Sequence, residues 1–287
     1  MISAGADPPI SQYYDWLSRF HQFVQFVGHR GGFAPLTVHR LLESGREDVA
    51  PADVIHERVL SAIGNLRSPR VVDAGCGMGG TILYLHARLG GEYDGLTLSR
   101  VQQARASREA RRRSVSNGCR FHLRDYDLPL HAIVRGGVDL VIAIESLAHS
   151  KDPQRTIANL SAALRSGGRL LIVDDVPRPA IATDDVDFAA FKTGWACERI
   201  ANASTLADAL ERASLTVERD EDLTPLVKKR DAAQLERLIK SNRRWRSVIG
   251  ANRGAGALVD SLHGGLMLER LYHRALVRYR LLVARRT

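Results

Sequence analysis

From about residue 67 onward the chain alternates strand-like and helix-like segments with a regularity that few architectures can absorb. "RVVDAG", "EYDGLTL", "CRFHLRD", "VDLVIAI" and "RLLIVDD" are short runs rich in Val, Ile and Leu, and the amphipathic stretches "TILYLHARL", "RVQQARASREARRR" and "PQRTIANLSAAL" lie between most of them. Strands joined through helices pair in parallel by right-handed crossovers, so the pattern predicts an α/β chain with a doubly wound, mostly parallel sheet. Later segments, "LTVERDEDL" and "VRYRLLVARR", bring the expected strands to seven. Between the fifth and sixth comes an irregular insertion in which "DDVDFAAFKTGWACERI" can form a helix, followed by helix "TLADALERA". A basic helix over 231–249, a Gly-rich break and a helix from about 257 precede the last strand. Residues 1–66 differ: "ISQYYDWLSRFHQFVQFVG", "APLTVHRLLESG" and "APADVIHERVLSAIGNL" read as three helices without a strand. We take 1–66 as an N-terminal helical cap and 67–287 as the sheet domain.

Composition narrows the class. With 45% hydrophobic and 25% charged residues in 287, the chain has enough apolar content for one large domain plus a cap. No apolar run approaches the roughly 20 residues of a membrane span, and "MISAGADPPI" lacks a basic region followed by an apolar core, so a cytoplasmic protein is expected. Cys76, Cys119 and Cys197 form no C-x-x-C pair, and the histidines have no ligand-like spacing, so neither a disulfide framework nor a metal site is expected. A net charge of +9 points to an anionic substrate, to nucleic acid or to plain arginine usage. The charge is clustered in Arg108, Arg111 and Arg112 and again in 228–253, without the interleaved aromatics of a base-stacking surface.

The chemistry concentrates at three strand ends. "VVDAGCGMGG" follows a strand and opens a helix, placing Gly75, Gly77, Gly79 and Gly80 at the carboxyl edge of the sheet, where open α/β folds bind ligands. Asp73 lies two residues before the first glycine, and a carboxylate there suits an amine-bearing ligand better than a pyrophosphate. The order of these residues resembles the first motif of class I S-adenosylmethionine-dependent methyltransferases, and the resemblance spans the sheet domain. It implies a Rossmann-like methyltransferase fold and S-adenosyl-L-methionine as cofactor. After the second strand, "YDGLTLSRVQ" departs from the acidic residue usual in that superfamily and resembles the "G-x-T/S-L-S-x-x-Q" pattern of the cyclopropane synthase, tocopherol, sterol and geranyl diphosphate methyltransferase group. That resemblance implies Thr97, Ser99 and Gln103 as ribose or methionine-side contacts, although Ser99 also suits a helix N-cap. In "RDYDLP" it implies Asp125 on the adenine amino group, with Tyr126 beside the ring.

The third strand end is "VDLVIAIESLAHS", a buried run stopped by Glu145. The fourth strand neighbours the glycine turn of the first, so Glu145 is expected to contact the cofactor or the methyl acceptor, and a half-buried carboxylate there can act as a base. In the geranyl diphosphate enzymes a glutamate at this position takes a proton after alkene methylation, and relatives that methylate oxygen have similar segments. His149, four residues on, shares the work if the segment is helical. The resemblance also implies that 177–203 and 226–257 cover the acceptor, with Phe188, Phe191 and Trp195 on a stripe and Asp222 and Thr224 of "EDLTP" near the site mouth. The expected activity is methyl transfer to a small, partly apolar metabolite of specialised biosynthesis, with carbon slightly favoured and an oxygen or nitrogen acceptor open. An anionic acceptor would find its counterpart in 228–253. A nucleic-acid methyltransferase is the weaker alternative, since "IESL" stands where amino-group methylators carry "N/D-P-P-Y/F". The aromatic stripe of Tyr13, Trp16, Phe20 and Phe23 can pack on its own chain or across a homo-oligomer.

Overall fold

The computed structural model describes residues 36, 39–182, 184–197, 199–249 and 253–287. Seven strands form one sheet: β1 (Arg70–Ala74), β2 (Glu92–Thr97), β3 (Cys119–Leu123), β4 (Val138–Ile144), β5 (Leu164–Pro177), β6 (Leu215–Asp222) and β7 (Val277–Arg286). Their order is β3-β2-β1-β4-β5-β7-β6, with β7 inserted antiparallel between β5 and β6 and the first five strands parallel. Strand β4 shows why the sheet is covered on both sides. Leu140, Ile142 and Ile144 belong to one apolar cluster and Val141 and Ala143 to the other, so the two-residue period of a strand feeds two cores at once.

The helices among the described residues are α1 (Val54–Ile63), α2 (Gly80–Leu89), α3 (Arg100–Arg112), α4 (Pro153–Ala163), α5 (Val186–Gly194), α6 (Ala203–Arg212), α7 (Ala232–Ile249) and α8 (Arg253–His273). Local sequence explains several of their starts. Asp152 accepts from the Arg155 N–H with Pro153 in the first turn, and Asn202 accepts from the Thr205 N–H. Helix α1 buries Ile55, Val59 and Ile63, one face at four-residue spacing. No helix of the described residues is long and apolar enough to cross a membrane.

The first predicted helix, "ISQYYDWLSRFHQFVQFVG", with its aromatic stripe, lies outside the described residues. The described part of "APLTVHRLLESG" is not helical. The Leu42 N–H bonds the Pro51 carbonyl, the Glu43 N–H bonds the Leu226 carbonyl, and Leu42 bridges Val227. These long-range backbone partners outcompete local helix bonds and make residues 39–43 a strap. Helix α8 begins at Arg253, inside the expected glycine-rich break, because packing against α5 and α7 overrides the weak propensity of its glycines.

Candidate active site

The strand order reverses between β1 and β4, and the carboxyl ends of the strands open there into a cavity of about 1120 Å³. Its floor is the turn after β1. Gly75 and Cys76 both donate their N–H groups to the Leu96 carbonyl, which ties the turn to the end of β2. Gly75 has φ +97, and a Cβ there would lie 2.5 Å from Ser146 Cβ at the end of β4. The glycine therefore lets the two strand ends meet. Gly75→Ala is expected to cost about 1–3 kcal/mol, through overpacking at a disfavoured φ, visible as a lowered urea midpoint with unchanged m-value. Gly77 and Gly80 also line the cavity, and beside Gly77, at φ +52, there is open space. Gly79, at φ +80, faces the Phe121 ring instead and starts α2.

Asp73 is buried at the end of β1, and burial pushes its carboxyl up to about 7. It makes no hydrogen bond among the described residues, and it lies behind the glycine turn rather than among the residues that line the cavity. Thr97 lines the cavity and donates to Gln102 Oε1 at 2.7 Å. The expected partners Ser99 and Gln103 do not join it. Ser99 is fully buried as the N-cap of α3, accepting from the Gln102 N–H, and Gln103 donates to the Phe121 carbonyl at 3.0 Å. Helix register turns Gln102, not Gln103, into the cavity. Asp125 lines it too, accepting from the Asp127 N–H in a tight turn. Tyr126 packs alongside and donates its hydroxyl to the Ser146 carbonyl at 2.5 Å.

Glu145 lies across from this turn with φ +50, a conformation rare for a residue with a Cβ. Its Oε1 accepts from the Arg40 N–H at 2.8 Å and from the Tyr279 hydroxyl at 2.7 Å. Its Oε2 has no hydrogen-bond partner among the described residues, and the half-buried side chain lines the cavity. One oxygen is thus anchored and the other is available. The Arg40 guanidinium donates to Asp175 Oδ2 at 2.8 Å and sits 5.1 and 5.3 Å from the Tyr272 and Tyr279 rings. The Tyr272 hydroxyl donates to Asp175 Oδ1. His149 lines the cavity within a 3₁₀ turn, 3.5 Å from Cys197 Sγ, and desolvation holds its pKa down at about 4. It is therefore neutral near pH 7 and a weak base.

The far wall is apolar. Leu238, Trp245, Leu258, Leu262 and Leu266 of α7 and α8 face the cavity with Trp195. Trp245 and Leu262 are 58% and 55% exposed, surface that an apolar ligand would cover. Phe191 is instead part of the core, and neither it nor Phe188 lines the cavity. Asp222 and Thr224 also lie off it: Asp222 accepts from the Thr224 N–H, and the Thr224 hydroxyl accepts from the Tyr279 N–H. The basic region divides. Lys228, Lys229 and Arg230 line the cavity, Arg230 bound to Glu269, whereas Arg243 and Arg244 do not. No His, Cys, Asp and Glu grouping among the described residues could hold a metal ion.

Sequence reasoning passed over His39, Arg40, Asp175, Tyr272 and Tyr279. The pair of acids closing "LLIVDD" was the readable signal for Asp175; the other four are positioned by long-range pairing.

Residues 72–170 match the family model described as "Methyltransferase domain". The tocopherol O-methyltransferase of Arabidopsis thaliana is 33% identical over 151 residues, 50% of this chain and 42% of that protein, so the match spans less than half of the relative. Among solved structures, the [4+2]-cyclase SpnF aligns with a TM-score of 0.72 at 21% identity, over 96% of this chain and 94% of that one. Geranyl diphosphate C-methyltransferase from Streptomyces coelicolor, solved with Mg2+, geranyl diphosphate and S-adenosyl-L-homocysteine, aligns with a TM-score of 0.71 at 18% identity, over 99% and 100%. The glycine turn, Asp73, Asp125 and Glu145 all lie within residues 72–170, the stretch that matches the methyltransferase domain, and methyltransferases are among both the curated relatives and the solved structures that resemble the chain.

Proposed function

We propose that this chain transfers a methyl group to a small, partly apolar metabolite, at carbon or oxygen, with Glu145 facing the acceptor. One observation carries the reading: Glu145, with Oε1 held by two donors and Oε2 without a hydrogen bond among the described residues, lines the same cavity as the glycine turn and the apolar wall. The residues present fit the cofactor. A buried carboxylate at Asp73 without a hydrogen-bond partner among the described residues, open space beside Gly77 and the unpaired buried hydroxyl of Ser146 are what a ligand with an ammonium group and a ribose would complete. In this reading Asp73 takes the ammonium, Thr97 and Gln102 the ribose, and Asp125 the adenine amino group.

S-adenosylmethionine supplies an electrophilic methyl on a sulfonium sulfur. The protein's part is to align the acceptor, keep out water and remove one proton. Glu145 Oε2 serves as proton acceptor for a hydroxyl or for the carbon cation left by alkene methylation. Its anchored Oε1 fixes the direction of the carboxylate. Lys228 and Lys229, which pair with no carboxylate among the described residues, favour an acceptor carrying an anionic group. The domain division at 66/67 and the covering role of 226–257 belong to the same proposal. A cyclase shares this fold, so the fold alone does not select the reaction.

Calorimetry with S-adenosylhomocysteine tests the cofactor assignment. Binding of the ammonium requires ionised Asp73, which is about half protonated near pH 7 in the free protein. Binding below that pH therefore releases a proton, and affinity rises with pH up to about 7 and flattens above it. Buffers of different ionisation enthalpy should report the release, and Asp73→Asn should abolish it. Binding of NAD in place of S-adenosylhomocysteine would refute the assignment.

A further inference from the structure

A second group that can accept a proton reaches the cavity from the strap. His39 lines it and donates to or accepts from Thr81 Oγ1 through Nε2 at 2.8 Å. The same hydroxyl meets His56 Nε2 at 3.2 Å, and His56 Nδ1 lies 3.3 Å from Asp53 Oδ1. Thr81 and His56 are buried, while Asp53 is at the surface end. The four groups form an unbroken chain from solvent to the cavity.

The chain also fixes the tautomers. A carboxylate only accepts, so His56 Nδ1 carries the hydrogen toward Asp53 and its Nε2 presents a lone pair. Thr81 has one hydrogen, and the His56 lone pair takes it. The Thr81 oxygen is then left to accept, which requires the hydrogen of His39 to be on Nε2. His39 Nδ1 is consequently a bare lone pair. It has no hydrogen bond among the described residues, and the His39 side chain lines the cavity. We propose that His39 is a second catalytic base of this site, its Nδ1 lone pair aimed at the methyl acceptor by the Asp53–His56–Thr81 relay.

The inference rests on the methyltransferase reading for its substrate and on the hydrogen-bond chain for its geometry. An acceptor hydroxyl or carbon that gains a methyl group must lose one proton to restore its charge. The bonding pair of the O–H or C–H bond stays on the acceptor, and the proton goes to His39 Nδ1, leaving an imidazolium that gives it up to water after product departs. The Glu145 carboxylate acts on His39 in the direction that favours that imidazolium. Burial acts the other way and keeps the resting ring neutral. Asp53, His56 and Thr81 are positioning residues.

Imidazole ¹⁵N spectra of the histidine-labelled protein loaded with S-adenosylhomocysteine test the relay without any acceptor. His39 should appear as the Nε2–H tautomer in the native protein and in Thr81→Ser, and as a mixture in Thr81→Val. An Nδ1–H tautomer, an imidazolium at neutral pH, or a Thr81→Val spectrum identical to the native one overturns the proposal. With geranyl diphosphate or a prenylated phenol that the native enzyme methylates, His39→Gln should lower kcat by about 10²–10⁴-fold and leave S-adenosylhomocysteine affinity within a few-fold. Unchanged kcat would remove His39 from the chemistry. Absence of turnover with every acceptor would count against the methyltransferase reading, while the spectra still decide the relay.

Discussion

Glu145→Gln is expected to lower kcat by about 10²–10⁴-fold while the affinity for S-adenosylhomocysteine stays within a few-fold. The amide preserves the shape of the side chain, and its oxygen can still accept from the Arg40 N–H and the Tyr279 hydroxyl, the two donors that hold Oε1. What it removes is the capacity of the second atom to take a proton. Steady-state kinetics with a methylated acceptor, paired with calorimetry, separates the possible roles. A large loss of cofactor affinity would place Glu145 on the cofactor ammonium instead. The positive φ at this residue fits either contact but not an idle surface carboxylate, because a strained backbone persists only where its surroundings hold it.

Asp175→Leu should be the most damaging substitution for stability, by about 3–5 kcal/mol, because it strands a buried cation. The Arg40 and Asp175 side chains are 16% and 3% exposed, and Asp175 also accepts from the Tyr272 hydroxyl, so one change orphans two donors. Burial pushes the Asp175 carboxyl up, and the Arg40 guanidinium beside it pulls the other way. Urea denaturation should show a lowered midpoint with a similar slope. The double variant Arg40→Met with Asp175→Leu should recover much of the loss, because an apolar pair leaves no charge behind. If the single and double variants unfold alike, the pair is not the buried ion pair described here. The double variant should still lose activity, since Arg40 also sets the strap that carries His39 and the N–H on Glu145.

The sheet was readable because its strands are buried on both faces and its crossovers are helical, which leaves uninterrupted apolar runs at regular spacing. The glycine turn, Asp73 and Glu145 were readable for the related reason that each is fixed by its place at a strand end. Ser99 and Gln103 show where this stops. The motif pointed to the turn after β2, which does line the cavity, but a one-residue difference in helix register decides that Gln102 faces the cavity and Gln103 the Phe121 carbonyl. His39 and Arg40 were illegible for a different reason. Their strap forms by pairing with residues 226–228, far along the chain, and with Pro51, whereas the local pattern there suggested a helix. Tyr279 reaches Glu145 because β7 inserts between β5 and β6, an order that sequential strand patterns do not announce.

The most direct test of the whole account is to supply the protein with methyl-tritiated S-adenosylmethionine and a panel containing geranyl diphosphate, prenylated phenols and related apolar acceptors. Label should pass into an organic-extractable product with the native chain and fall to background with Glu145→Gln. Tight S-adenosylhomocysteine binding accompanied by conversion of an acceptor without label would contradict it, and would make the chain a cofactor-binding catalyst of another reaction.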